Sequence, residues 1–379
     1  MLERFGRYQL LRRLGRGGMG EVFLARAEGL PRRALVVVKR SLPHLADDLA
    51  LTRQFLEEAK AAAHVHHPNV AAVQELGVLD GRFFLVMEYV PGTDVATLSA
   101  GGPLPPALVA RLIADAARGL HAAHTAADPS GRALEVAHGD VTPKNLLVGL
   151  DGVSKVIDFG LTRWRGTRAE GALGGTAGYL APEQALEGIV DAKTDQFSLG
   201  VVAWELLTGK PLFDGATDLM TLDQVVSSRV PPLGPFLHPR APALEALVGQ
   251  MLTKDPRDRL EHCLDAADLL ERWLTSQRQA TVRQELAARV STRASAEVLD
   301  EPGEAPVTPL LVTTARPLTT PERLAMDRLR TLPAPLTLEG MEDALGDDSS
   351  PAIDLLQGLI EAGALRRLDD ERFELTPTP

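Results

Sequence analysis

Apolar and polar residues alternate in short runs over residues 8–86, as in Tyr8-Gln9-Leu10-Leu11-Arg12-Arg13-Leu14 and Glu21-Val22-Phe23-Leu24-Ala25-Arg26. A period of two sends neighbouring side chains to opposite faces, and it predicts strands. One helical pattern interrupts them at about 48–65, with Leu51, Phe55, Glu58 and Ala62 on one face. Past residue 100 the period lengthens. Stretches 104–126, 195–208, 218–228, 242–252 and 263–275 repeat at helical spacing, and a helical signal continues from 276 toward 294. A β-rich first part followed by a helical second part predicts an α+β protein with two lobes.

The segment from Glu301-Pro302-Gly303-Glu304-Ala305-Pro306 to Pro317 reads as a linker by composition. Organisation returns in 321–379. Helical patterns at 322–331, 338–345 and 350–362 precede two strand-like runs, Ala364-Leu365-Arg366-Arg367-Leu368 and Arg372-Phe373-Glu374-Leu375. Three helices and a hairpin predict a small winged-helix-like module. Its would-be recognition helix, 350–362, has no Lys or Arg, and the tail carries thirteen Asp/Glu against six Arg. That charge speaks against DNA reading and for a protein contact or self-association.

The whole chain points the same way. Its 379 residues carry a net charge of −11, which disfavours a nucleic-acid partner. An apolar fraction of 45% supplies a sizeable core. The single cysteine, Cys263, excludes an internal disulfide framework and fits a reducing, cytoplasmic setting. Met1-Leu2-Glu3-Arg4 opens on no apolar leader, and no stretch approaches the ~20 apolar residues of a membrane span, so no membrane is expected.

Five short motifs carry the chemistry. They are Gly15-Arg16-Gly17-Gly18-Met19-Gly20-Glu21-Val22, Val36-Val37-Val38-Lys39, His138-Gly139-Asp140-Val141-Thr142-Pro143-Lys144-Asn145, Asp158-Phe159-Gly160 and Ala181-Pro182-Glu183. Each alone is weak. The glycine run could be a dinucleotide-binding turn, but that turn must lead from a strand into a helix. Here both flanks read as strands. In this order the five resemble the signature set of protein kinases, and of bacterial eukaryotic-like (Hanks-type) Ser/Thr kinases in particular, over roughly residues 8–275.

That resemblance implies a bilobal protein-kinase fold in 1–275, with an N-lobe at about 8–88 and a C-lobe at about 91–275. A helical extension and linker (276–320) and the acidic module (321–379) would follow. It also implies ATP and Mg²⁺ as cofactors and a protein with a Ser/Thr acceptor as substrate. Leu14, Gly15, Gly17, Gly18, Gly20, Val22, Val37, Met87, Glu88, Val90 and Leu147 would surround the nucleotide. Lys39 would hold the α- and β-phosphates, steadied by Glu58. Asp140 would orient the acceptor hydroxyl and take its proton, while Asn145 and Asp158 would hold magnesium. Thr176, in Gly175-Thr176-Ala177-Gly178-Tyr179, resembles the threonine that marks Ser/Thr specificity by contacting the catalytic Asp. Asp195 would accept hydrogen bonds from catalytic-loop amides, Arg259 would pair with Glu183, and His138 would pack on Phe159.

Three positions depart from the family pattern. Val37 stands where alanine is usual over adenine. Gly139 replaces the arginine that binds an activation-loop phosphate, which puts phosphate-gated activation in doubt. Thr142 replaces the lysine that steadies the γ-phosphate. Lys144 lies four residues after Asp140, the offset at which one group of tyrosine kinases places an arginine for that task. It is equally readable as a solvent-facing loop lysine. These departures keep a second class open, a pseudokinase scaffold that binds nucleotide without transferring phosphate. His64, His66 and His67 look like a metal cluster, but His67-Pro68-Asn69 matches the family's helix-to-strand turn.

Overall fold

The period-two runs of the first part become strands of one antiparallel sheet. In the computed structural model, described over residues 3–16, 20–28, 35–42, 62–79, 81–128, 130–159, 176–237 and 241–294 and three strands of the tail, they are β1 (Glu3–Phe5), β2 (Tyr8–Arg16), β3 (Gly20–Ala27), β4 (Leu35–Ser41), β5 (Val73–Leu79) and β6 (Arg82–Glu88). The sheet order is β1-β2-β3-β4-β6-β5. β2 and β3 pair with Gly15 opposite Val22 and Arg16 opposite Glu21, so the glycine run joins two strands and the dinucleotide-turn reading fails.

Alternation decides which side chains face the cleft. Val36 and Val38 of β4 are buried with Phe5, Tyr8, Phe23 and Phe84 on one face of the sheet. Val37 and Lys39 therefore point from the other face. Of the expected helix at 48–65, only its end falls within the described residues. There Ala62 and Ala63 are helical and buried.

After residue 88 a three-stranded sheet of β7 (Gly92–Asp94), β8 (Leu146–Gly149) and β9 (Ser154–Val156) forms, in the order β7-β8-β9. Helices α1 (Val95–Ser99), α2 (Pro106–His124), α3 (Pro182–Glu187), α4 (Ala192–Thr208), α5 (Asp218–Ser227), α6 (Pro242–Met251), α7 (Cys263–Ser276) and α8 (Val282–Ala294) build the second lobe. α4 is apolar nearly all round and buried along almost its whole length, as a core helix must be. Asp191 caps it through the amides of Lys193 and Thr194. One apolar cluster runs from Val65 and Met87 through α2 and α4 to Val282, Leu286 and Val290 of α8.

In the tail, β11 (Leu365–Arg367) and β12 (Arg372–Leu375) pair antiparallel, which is the expected hairpin. A short strand, β10 (Leu336–Thr337), adds to β12. The three tail helices expected from sequence lie outside the described residues.

Candidate active site

Between the first sheet and the β7-β8-β9 sheet lies a cavity of about 830 Å³. Leu14, Gly15, Val22 and Val37 line its roof, Met87, Glu88 and Val90 its back, and Leu147 its floor. Lys144, Asn145 and Asp158 line its polar end. Gly20, Lys39, Asp140 and Thr176 lie outside this lining, and Gly17, Gly18 and Glu58 lie outside the described residues. Ala71, Ile157 and Asp94 also line the cavity and went unnoticed in the sequence. Only Asp94 left a signal there. It begins Asp94-Val95-Ala96-Thr97, and its carboxylate caps α1 by accepting from the Thr97 amide at 2.8 Å.

Lys39, near the end of β4, meets the Oδ2 of Asp158 at 2.9 Å. Asp158 is held at φ +63°, a left-handed conformation that a non-glycine residue adopts at a cost and that clusters at functional sites. Its other oxygen, Oδ1, is buried without a hydrogen-bond partner. A buried carboxylate oxygen left over in this way suits a hard cation.

The loop from His138 to Asn145 is shaped by hydrogen bonds. Asn145 Nδ2 donates to the Asp140 carbonyl at 2.8 Å and to Asp140 Oδ2 at 3.1 Å. The Asp140 amide donates to His138 Nδ1 at 3.1 Å, and His138 Nε2 lies 2.8 Å from the Ile157 carbonyl. His138 thus accepts on one nitrogen and faces a carbonyl with the other. Its ring packs on Phe159 with centroids 4.9 Å apart, as expected. Pro143–Asn145 form a single 3-10 turn, on which Lys144 is exposed while Thr142 is buried.

Beneath the loop sits Asp195, fully buried at the start of α4. It accepts from the amides of His138 (2.7 Å) and Gly139 (2.6 Å), as the sequence led us to expect, and lies 2.7 Å from His124 Nε2. Burial alone would raise the Asp195 carboxyl, but the hydrogen bond and charge of His124 hold it below the usual range. Burial would likewise lower His124, yet its bonds to Asp195 and Cys263 push it up to about 10. Gly139 has φ +71°, which glycine adopts without strain, and its carbonyl accepts from Gln184 Nε2 at 3.0 Å.

Glu183 and Arg259 form a buried two-pronged pair at 2.7 and 2.8 Å, the partnership expected from sequence. Thr176 precedes the short turn Ala177–Tyr179 and accepts from the Tyr179 amide at 3.0 Å. His67 Nδ1 accepts from the Asn69 amide at 3.1 Å, so this histidine shapes a turn.

The protein kinase domain family matches residues 8–273. Tyrosine-protein kinase MasK of Myxococcus xanthus (strain DK1622) is 38% identical over 289 residues, covering 73% of this chain and 44% of that protein. Serine/threonine-protein kinase PknF of Mycobacterium tuberculosis (strain ATCC 25618 / H37Rv) is 33% identical over 277 residues, covering 70% and 56%. The chain thus spans about half the length of these relatives. The crystal structure of the Mycobacterium tuberculosis PknI kinase domain superposes with a TM-score of 0.54 at 28% identity, covering 72% of this chain and 97% of that one. The matched span runs from β2 to α7 and holds every motif that meets at the cavity, and the chain belongs to the protein kinase family, among its bacterial Hanks-type members.

Proposed function

We propose that this kinase transfers the γ-phosphate of Mg-ATP to Ser/Thr hydroxyls of proteins. The observation that carries this reading is that Asn145 and Asp158, at the polar end of one cavity, hold Asp140 and Lys39 just behind its lining, at 3.1 Å and 2.9 Å. The unpartnered Asp158 Oδ1 supports a magnesium role for that residue, shared with Asn145. Bound there, Mg²⁺ would neutralise charge on the phosphates during transfer.

The protein's own part is positioning. Leu14, Val22, Val37 and Leu147 sandwich a flat base, and the backbone at Met87–Val90 reads its edge. Amides of the Gly15–Gly20 turn and the Lys39 ammonium hold phosphate oxygens, with Glu58 steadying Lys39. Asp140 orients the acceptor hydroxyl and takes its proton. Lys144 supplies the cation that Thr142 cannot, and its place on the cavity wall beside Asn145 supports that role. Thr176 reads the acceptor class. The tail serves as a protein contact or self-association module. Among the described residues no helix is long and apolar enough to cross a membrane, and we place the kinase in the cytoplasm.

A tyrosine acceptor is the second reading. It is favoured by the printed name of the Myxococcus xanthus relative and by Lys144 at the tyrosine-kinase offset. Phosphate transfer from Mg-ATP to the chain itself and to a generic basic protein, beside Asp140→Asn, tests both readings. Transfer lost in the mutant supports catalysis, and phosphoamino-acid analysis decides between Ser/Thr and Tyr. Nucleotide binding without transfer in either protein would leave the scaffold reading standing.

A further inference from the structure

We infer that helix α8, which lies wholly beyond the family match, is a positioning element of the nucleotide site, with Arg283 as its positioning residue. The inference rests on the nucleotide reading above and deepens it.

Val282, Leu286 and Val290 recur at helical spacing and are 5%, 0% and 0% exposed. They seat α8 against α1, α2, β7 and β8, so its apolar face belongs to the kinase core and not to a linker. Arg283 makes the polar attachment. Its guanidinium grips Asp115 of α2 with two bonds, Nη1 to Oδ2 at 2.8 Å and Nη2 to Oδ1 at 2.9 Å. Asp115 is wholly buried, and the same carboxylate accepts from the Ser154 amide at 3.2 Å, where β9 begins. Arg111 supplies a second cation to it at 3.0 Å.

Arg283 also acts through its backbone. Gly152, in the turn between β8 and β9, has φ +77°, and a Cβ there would lie 2.2 Å from the Arg283 carbonyl oxygen. The hairpin is therefore held twice by one residue, at its turn by close packing and at the start of β9 through Asp115.

What that hairpin carries is the site. Leu147 on β8 is the cavity floor, while Leu146 and Val148 on its opposite face are buried in the cluster that α8 joins. Asn145 immediately precedes β8, and β9 runs on to Ile157 and Asp158. β7, on the other side of β8, leaves the stretch that backs the cavity. A shift of the β8–β9 turn moves floor and magnesium residues together. The rival reading is a staple that adds stability and touches nothing in the site.

The test uses the full chain with Arg283→Ala, Arg283→Lys and Gly152→Ala. KM for ATP and kcat are measured on a generic basic protein, with ADP affinity by calorimetry and melting temperature alongside. Arg283→Ala should raise KM for ATP and weaken ADP in parallel, by about fivefold, with kcat nearly unchanged. Gly152→Ala should do the same by pushing the turn away from α8, and Arg283→Lys should recover part of the loss. Unchanged KM and ADP affinity in both Arg283→Ala and Gly152→Ala, with only melting lowered, would overturn the inference. A fall in kcat that tracks the unfolded fraction would overturn it too. A wild-type chain that binds no ADP removes the nucleotide reading itself, an outcome distinct from wild-type binding that the variants leave untouched.

Discussion

Lys39 and Asp158 join the two lobes at the polar end of the cavity, ammonium to carboxylate at 2.9 Å. One comes from the N-lobe sheet and the other from the segment after β9, so neither charge is placed by its own lobe alone. Lys39→Met and Asp158→Asn should each reduce transfer by about 10²-fold or more, and the double mutant should lose far less than the product. Additive losses in a double-mutant cycle would show that the two residues act separately.

Asp140→Asn keeps the hydrogen bonds that shape the loop but removes the proton acceptor. Transfer should fall by about 10²–10⁴-fold, the usual worth of a positioned base, while ADP binding stays at the wild-type level. Matched losses of binding and transfer would mean that Asp140 shapes the pocket instead.

Lys144→Ala should lower kcat with little change in KM for ATP, because a charge on the transferring group is felt most in the transition state. Lys144→Arg should restore much of it. Unchanged kcat in Lys144→Ala returns this residue to the solvent.

Glu183 and Arg259 are 8% and 0% exposed at their side chains, so removing one strands the other in the interior. Arg259→Met should destabilise the protein by about 3–5 kcal/mol, read as a lowered denaturation midpoint with an unchanged slope.

His124 titrates near 10 against 6.5 for an ordinary histidine, because Asp195 and Cys263 hold its charged form despite burial. The stabilisation from that charge is complete below pH 6.5, declines as pH rises, and is gone above about 10. Asp195 works at the other end. Its contribution is full above the ordinary carboxylate value of 3.8 and is lost in stronger acid. Melting temperature should therefore fall from neutral pH toward 10 more steeply in wild type than in His124→Gln, which starts lower. Parallel curves would refute the charge assignment.

Much of this was legible in the chain because backbone chemistry leaves local marks. Glycines between two alternating runs announced a hairpin, whereas Asp195 by itself read equally as an exposed helix cap, and only the resemblance to kinases pointed to its bonds with the loop amides. Asp140, Asn145 and Asp158 were singled out by the resemblance of their motifs to the kinase set, and the fold brings Asn145 onto Asp140. What stayed hidden depends on distant partners. Nothing in the sequence linked Asp115 to Arg283, 168 positions apart, or gave Lys39 its contact with Asp158. Both follow from how the elements pack. The helical signal past 276 was visible, but its burial in the core was not, since one apolar stripe reads alike whether it meets a core or a partner.

Gly139 is gripped from both sides, its amide by Asp195 and its carbonyl by Gln184. The peptide beside the proposed base thus takes its shape from the interior when the chain folds, and this position has no charge by which an outside group could pull it into place. A displacement of either Asp195 or Gln184 would therefore be felt first at the peptide next to Asp140.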